Sequence, residues 1–288
     1  MPRFGAHMPT AGGLYKAVTG GYKIGCEAVQ LFTASPRQWN SPPLKPESIH
    51  AFRRAVEATG IGPLIAHDSY LINLATQDPA LLQKSRNAFL EEMHRAEALG
   101  LDYLVTHMGA HTGAGEAAGI EKLCESLDWL HEQIPTYRVK VALETTAGQG
   151  TSLGGVFEHF PQIFAQVREP ERLVVCMDTC HIFVAGYDLR TAETVTATLD
   201  AFDKLVGLNK LCCLHANDAQ KGLGSHTDRH AHIGEGCIGS AGFAALLADP
   251  RLPADLPIIV ETPESETQHE VNVWRLRALA SATPTSVA

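Results

Sequence analysis

The sequence contains no CxxC pair. Its seven cysteines, Cys26, Cys124, Cys176, Cys180, Cys212, Cys213 and Cys237, are an odd number set mostly in apolar runs, which argues against a disulfide framework and for reduced, buried thiols. Cys180 fits that pattern and reads as a core thiol rather than a ligand or nucleophile. No apolar run approaches the ~20 residues that cross a bilayer. The opening Met-Pro-Arg-Phe-Gly-Ala-His has no signal-peptide pattern, so a cytoplasmic protein is expected. Excess positive charge is also missing: the net charge of -9 and pI of about 5.8 argue against a general polyanion binder. That exclusion is limited, because bound divalent cations concentrate positive charge at one place. The glycines after Glu144 lack the Lys-Ser/Thr of a P-loop and read as a flexible loop. There is no linker or composition break.

What the chain does have is alternation. With 288 residues, 45% hydrophobic and 19% charged, it has the composition of one large barrel or two small domains. Apolar runs predict strands at 3–8, 26–32, 63–66, 103–106, 139–143, 173–177, 210–214 and 257–260. Helical stretches lie between them, including 79–99 with Leu82, Phe89, Met93 and Ala96 on one stripe. A helix over 119–134 carries His131, expected in solvent. The polar stretch 221–236 is too long for a mere connector. Eight strands alternating with eight helical segments place the chain in the α/β class as a single (β/α)8 TIM barrel over residues 1–288, with 281–288 as a frayed tail.

The strand at 173–177 ends abruptly in Asp178-Thr-Cys-His181, and a helical turn there would keep Asp178 and His181 close at i, i+3. The same kind of ending recurs. His67, His107, Glu144, Asp178, His215 and Glu261 follow the third to eighth strands in order, and in a closed parallel barrel those ends share one rim. Histidine and carboxylate without cysteine suit Zn²⁺ or Mn²⁺, with a carboxylate able to bridge two ions. Asp228 and His230 from the long loop, with His181, bring the set to nine residues, enough for three ions at about three ligands each. Such clusters favour in-line displacement at phosphorus, which makes phosphodiester hydrolysis the natural candidate.

These residues resemble the endonuclease IV family of apurinic/apyrimidinic (AP) endonucleases. The matching stretches are His67-Asp-Ser-Tyr-Leu-Ile-Asn-Leu74, Glu144 with Thr-Ala-Gly-Gln-Gly150, Asp178-Thr-Cys-His181 with Ala-Gly-Tyr-Asp188, His215 with Asn217-Asp218, and Asp228-Arg-His230 with Gly-Glu-Gly236. The resemblance implies a trinuclear zinc site, with Mn²⁺ possible at some positions. His67, His107 and Glu144 would serve one ion. Glu144 would bridge to a second held by Asp178, His215 and Glu261, and His181, Asp228 and His230 would take the third. It implies incision of duplex DNA 5′ to abasic sites, leaving a 3′-hydroxyl and a 5′-deoxyribose phosphate, and removal of 3′-blocking groups, by a monomer acting in base excision repair. Glu144 and Glu261 are the implied catalytic carboxylates, Glu261 orienting the nucleophile. Arg37, Tyr70 and Leu71 match the positions that enter the DNA at the lesion, where an arginine and apolar wedges can fill the stack. Two positions depart from the pattern: Met108 stands where proline commonly follows His107, and Thr145 where asparagine commonly follows Glu144. Both bear on contacts around the first ion pair.

Two other classes compete. A sugar isomerase or epimerase of the xylose isomerase type, on the same barrel, needs one divalent metal and leaves His181, Asp228, His230 and the Arg37/Tyr70 pair unexplained. A lesion-binding protein without catalysis has no use for a full ligand set. His7, His111, His226 and His232 also fall near the expected rim, where phosphate-facing and solvated roles both stay open.

Overall fold

The computed structural model describes residues 2–281. Among the described residues, ten strands follow one another: β1 (Arg3–His7), β2 (Ala28–Phe32), β3 (Leu64–His67), β4 (Tyr103–His107), β5 (Lys140–Glu144), β6 (Leu173–Asp178), β7 (Leu211–His215), the short β8 (Asp218–Ala219) and β9 (His230–Ala231), and β10 (Pro257–Val260). β1 to β7 and β10 run parallel and close into a barrel, with β10 pairing to β1. The helices are α1 (Tyr15–Lys23), α2 (Pro46–Thr59), α3 (Pro79–Leu99), α4 (Glu116–Gln133), α5 (His159–Gln166), α6 (Thr179–Ala185), α7 (Ala192–Leu205), α8 (Gly239–Leu247) and α9 (Ser265–Ser281). The tail expected over 281–288 lies, apart from the helical Ser281, outside the described residues. Among the described residues no helix is long and apolar enough to cross a membrane.

Local chemistry sets several boundaries. Asp78 caps α3 by accepting the Ala80 and Leu81 N–H groups at 2.8 and 3.1 Å, with Pro79 in the first turn. Thr191 and Thr194 form a reciprocal capping box at α7. One core packs helices against the outer barrel wall, with Phe52, Phe89, Phe160, Phe202 and Phe243 fully buried. A second, smaller apolar layer fills the barrel and includes Ala28, Ile65, Val105, Ala142, Cys176, Cys213 and Ile259.

Three expectations need correction. The stretch after β7 is more than a loop: β8 and β9 pair antiparallel inside it, and α8 follows. His131 is buried at 2% exposure rather than solvated, because it sits on the face of α4 that packs inward with Leu127 and Leu130. Five strands, β3 to β7, run one residue beyond their expected ends, so His67, His107, Glu144, Asp178 and His215 are paired strand residues. A ladder position fixes the backbone of a side chain more tightly than a loop does.

Candidate metal centre

Side chains two residues apart on a strand share a face. Ile65, Val105, Ala142, Cys176, Cys213 and Ile259 belong to the apolar floor inside the barrel. Two residues on from each come His67, His107, Glu144, Asp178, His215 and Glu261, so all six project inward just above that floor. The register pairs His107 with Glu144 and Asp178 with His215, the latter after a shift between Val175 and Cys176 that gives β7 one extra residue, Cys212. His181 comes from the first turn of α6. There Asp178 is the N-cap, its Oδ1 accepting the His181 N–H at 2.8 Å. The β8–β9 hairpin brings Asp228 and His230 over the same mouth. Its root is held by the Asp218 carboxylate, which accepts the N–H groups of Gly234, Gly236, Ile238 and Gly239 at 2.9–3.2 Å.

All nine expected ligands come together. Glu144, 1% exposed, sits at the centre with its two oxygens facing opposite ways. Oε2 lies 3.0 Å from His67 Nε2 and 3.1 Å from His107 Nε2, and Oε1 lies 2.9 Å from His215 Nδ1. His215 Nδ1 is also 3.2 Å from Glu261 Oε2. Asp228 joins His181 Nε2 at 3.1 Å and His230 Nε2 at 3.2 Å, and His230 Nε2 reaches Asp178 Oδ2 at 3.7 Å. Three groups of histidine and carboxylate atoms therefore converge: His67, His107 and Glu144; Glu144, Asp178, His215 and Glu261; and Asp178, His181 and His230, with Asp228 against the last two. Two further groups include thiols, Cys180 with Asp228 and His230, and Cys176 and Cys213 with His215.

The outer nitrogens decide what these groups can hold. A carbonyl oxygen only accepts, so a ring nitrogen facing one must carry the proton. His67 Nδ1 faces the Asp68 carbonyl at 3.0 Å, His181 Nδ1 the Thr145 carbonyl at 2.8 Å and His230 Nδ1 the Glu261 carbonyl at 3.2 Å. His215 Nε2 faces the Gln30 side-chain oxygen at 2.7 Å. In each neutral ring the other nitrogen keeps a lone pair aimed at carboxylate oxygens, an arrangement that repels unless a cation lies between. Outer-nitrogen bonding of this kind orients metal-ligating histidines, and the His/Asp/Glu donor set suits zinc.

The electrostatics agree. Burial opposes charge on His67, but the Glu144 hydrogen bond and charge, with Asp68, outweigh it and raise its pKa to about 9. Burial likewise opposes charge on His230, and Asp178 and Asp228 raise it to about 9. His181 and His215 are pushed well above the ordinary range against the same burial, chiefly by Asp178 and by Glu261 with Glu144 respectively. Despite burial, the facing histidines hold Glu144, Asp228 and Glu261 below the usual carboxylate range. The cluster is built to bind positive charge.

Further contacts orient the ligands, and residue patterning did not single them out. Asn217, fully buried, donates from Nδ2 to Asp178 Oδ2 at 2.7 Å and accepts the Glu261 N–H at 2.8 Å. The Thr145 hydroxyl accepts the Asp178 N–H at 2.9 Å, and Met108 is buried, so both departures have defined places. Gln30 donates to Glu261 Oε1 at 2.6 Å. Its signal was available: applying the two-residue step to Gly5 on β1 and Ala28 on β2 points to His7 and Gln30.

Two open cavities flank the cluster. One, of about 310 Å³, is lined by Tyr70, Leu71, His107, His181 and Asp228 among others; the other, of about 350 Å³, by His7, Phe32, Tyr70, His230, Glu261 and His269 among others. Tyr70, 62% exposed, stands between them. Arg37 lines neither. It is exposed in the turn after β2, which Ser69 ties to the Tyr70 loop through a 2.9 Å bond to the Pro36 carbonyl. Trp39 packs beneath Lys84 at 4.3 Å from Nζ to ring centre. Of the four remaining rim histidines, His111 accepts the Gly115 N–H, His226 bonds the Ala147 carbonyl and His232 bonds Asn272. His7 alone of the four lines a cavity beside the cluster.

A family model described as xylose isomerase-like TIM barrel matches residues 22–279. A protein of Chloroflexus aurantiacus named "Probable endonuclease 4" is 48% identical over 281 residues, covering 97% of this chain and 98% of its own length. The chain belongs to the endonuclease IV family of nucleases. Its structure matches endonuclease IV from Thermus thermophilus with a TM-score of 0.86 at 36% identity, over 96% of this chain and 98% of that one. The 3-keto-D-glucoside 4-epimerase of E. coli matches with a TM-score of 0.67 at 12% identity, over 96% and 100%, a likeness that concerns the fold alone.

Proposed function

We propose that this endonuclease IV family member hydrolyses the phosphodiester 5′ to abasic sites in duplex DNA, leaving a 3′-hydroxyl and a 5′-deoxyribose phosphate, and also clears blocked 3′ ends. It works as a cytoplasmic monomer in base excision repair. The observation that carries the reading is the set of four histidines, His67, His181, His215 and His230, each turned by its outer hydrogen bond so that its inner ring nitrogen faces carboxylate, where a cation would sit.

Three zinc ions would be held by His67, His107 and Glu144; by Glu144, Asp178, His215 and Glu261; and by His181, Asp228 and His230. Bound zinc supplies Lewis acidity, water activation at neutral pH and compensation for the charge of a leaving 3′-oxygen. The chain's own groups do the rest. Glu144 is sealed from solvent, with its two oxygens committed to opposite histidine sets, and so would be shared between two of these ligand groups. Glu261 has 18% of its side chain exposed on the cavity; of the two catalytic carboxylates it is the one the substrate can reach, and it would orient the attacking water. Tyr70 and Leu71 enter the stack beside the lesion and Arg37 braces the duplex, a task made easier because an abasic nucleotide has little stacking to lose.

The test is cleavage of a duplex carrying one abasic-site analogue by wild type and Glu144→Ala, each after metal analysis. Incision 5′ to the lesion with a 3′-hydroxyl product, abolished in the variant, is the expected result. No incision by fully zinc-loaded wild type would overturn the assignment, and a single bound ion would redirect attention to sugar substrates.

A further inference from the structure

β1 and β2 contribute to the rim by the same two-residue step as the other strands, and they place His7 and Gln30 beside Glu261. The hydrogen-bonding roles there can be assigned atom by atom. Glu261 Oε1 is a carboxylate oxygen 2.6 Å from the Gln30 amide nitrogen; the reverse amide orientation would set oxygen against oxygen. Gln30 Nε2 therefore donates, and its second hydrogen points to His7 Nδ1 at 2.9 Å. The Gln30 oxygen then faces His215 Nε2 at 2.7 Å and must accept. One amide thus fixes the proton on His215 Nε2, leaves Nδ1 free for a cation, and makes His7 Nδ1 an acceptor.

The remaining nitrogen of a neutral His7, Nε2, must carry the proton. It is a buried donor with no partner among the described residues, on a ring steadied by Phe32 at 4.4 Å between centroids. His7 lines the cavity that also exposes Glu261 and His230. An unsatisfied buried donor costs on the order of 1–3 kcal/mol, a cost that an arriving acceptor removes.

We propose that His7 is a further substrate-binding residue, its Nε2–H donating to a non-bridging phosphate oxygen of the DNA beside Glu261, and that Gln30 is the positioning residue that sets its tautomer together with that of His215. The inference rests on the reading of the chain as an abasic-site nuclease and names one of its phosphate contacts. A phosphate oxygen is the expected acceptor because the cavity opens directly on two residues of the cation cluster, Glu261 and His230, where the backbone has to lie for hydrolysis.

The experiment compares wild type, His7→Phe and His7→Gln at matched zinc content. Duplexes carry an abasic-site analogue and a single neutral methylphosphonate at each phosphate near the lesion in turn. Affinity is read by fluorescence anisotropy with zinc-loaded protein on duplexes whose scissile linkage is a non-cleavable analogue, and single-turnover cleavage is read separately on cleavable duplexes. His7→Phe, which keeps the ring and loses the donor, is expected to weaken binding about tenfold. At one phosphate position the methylphosphonate penalty seen with wild type should vanish in His7→Phe, and His7→Gln, which restores an N–H, should recover part of it. Unchanged binding in His7→Phe, or penalties that add at every phosphate, would overturn the proposal. If His7→Phe does not fold, His7→Leu takes its place: loss of the methylphosphonate penalty at one phosphate supports the contact, and penalties unchanged from wild type at every position overturn it. Failure of zinc-loaded wild type to incise any abasic duplex has a different meaning: it removes the underlying reading, and the proposal falls with it.

Discussion

Asn217 shows how much of the centre depends on residues that bind nothing themselves. It holds one oxygen of Asp178 and the backbone N–H of Glu261 at once, so two ligands from different strands are set by one side chain. Asn217→Ala strands the Glu261 N–H, at roughly 1–3 kcal/mol, and removes one of the bonds that orient the Asp178 carboxylate, which keeps the His181 N–H. Chelator competition should show zinc affinity lower by about 10- to 100-fold, with secondary structure by circular dichroism unchanged. Six of the nine candidate ligands were legible in the sequence because an acid or imidazole directly after an apolar run breaks the pattern visibly; His181, Asp228 and His230 were legible from the turn after Asp178 and from a polar loop too long for a connector. Asn217 was legible only as a member of a matching stretch, since a buried amide follows no periodicity. Gln30 was hidden for the opposite reason: inside Ala-Val-Gln-Leu-Phe it looks like an interruption of a strand rather than a functional end. His131 misled because helical position alone does not say which edge of a stripe packs inward.

Among the elements, the hairpin of β8 and β9 is the part least foreseeable from the chain. Two residues per strand carry no alternation to read, and its shape comes from one carboxylate, Asp218, gathering four backbone N–H groups. Asp218→Ala removes that anchor while touching none of the nine ligands. The expected result is loss of about one zinc per chain from the group containing Asp228 and His230, with the groups around Glu144 retained. Limited proteolysis should then cut faster within 220–236. Equal loss of all three ions would show that the hairpin is not an independent unit. A similar dependence ties the loops after β3 and β4. Asn73 exchanges hydrogen bonds with both backbone groups of Ala110 at 3.0 Å, and Gly109, at φ 88°, has no room for a Cβ against Asn73 and Ala75. Gly109→Ala combines that clash with an unfavourable backbone region and should lower the melting temperature by several degrees, measured by calorimetry, and widen the Tyr70 cavity.

At the scale of the whole molecule, the proposed metal content bears directly on stability. Four carboxylates and five histidines from six barrel strands, one helix and the hairpin meet at one mouth, so a cation that binds only the folded chain stabilises it by mass action. Removing zinc with a chelator should lower the melting temperature, and re-addition should restore it. Acid acts elsewhere as well. Burial holds His131 down to about 4, with Arg172 adding to the effect, below its ordinary 6.5. The unfolded chain therefore takes this proton first as pH falls, and the stability His131 provides is complete above pH 6.5 and lost between 6.5 and about 4. By pH 5 the loss amounts to about 2 kcal/mol. Denaturant titrations of His131→Leu at pH 7 and pH 5 should show that much less pH dependence than wild type; an unchanged slope would mean His131 is not the titrating group.

The ladder that sets each ligand also divides the barrel unequally. From β5 onward the chain carries Glu144, Asp178, His181, His215, Asp228, His230 and Glu261, enough to complete two of the three ligand groups unaided. The half from β1 to β4 lends His67 and His107 and carries every group proposed to touch DNA away from the ions: His7, Arg37, Tyr70 and Leu71. On the proposed reading, most of the cation ligands and the DNA contacts thus fall in different stretches of one chain. A chimera that takes its first half from a relative with another lesion preference should inherit that preference while keeping its zinc content, so new specificities can be recruited by exchanging half a barrel.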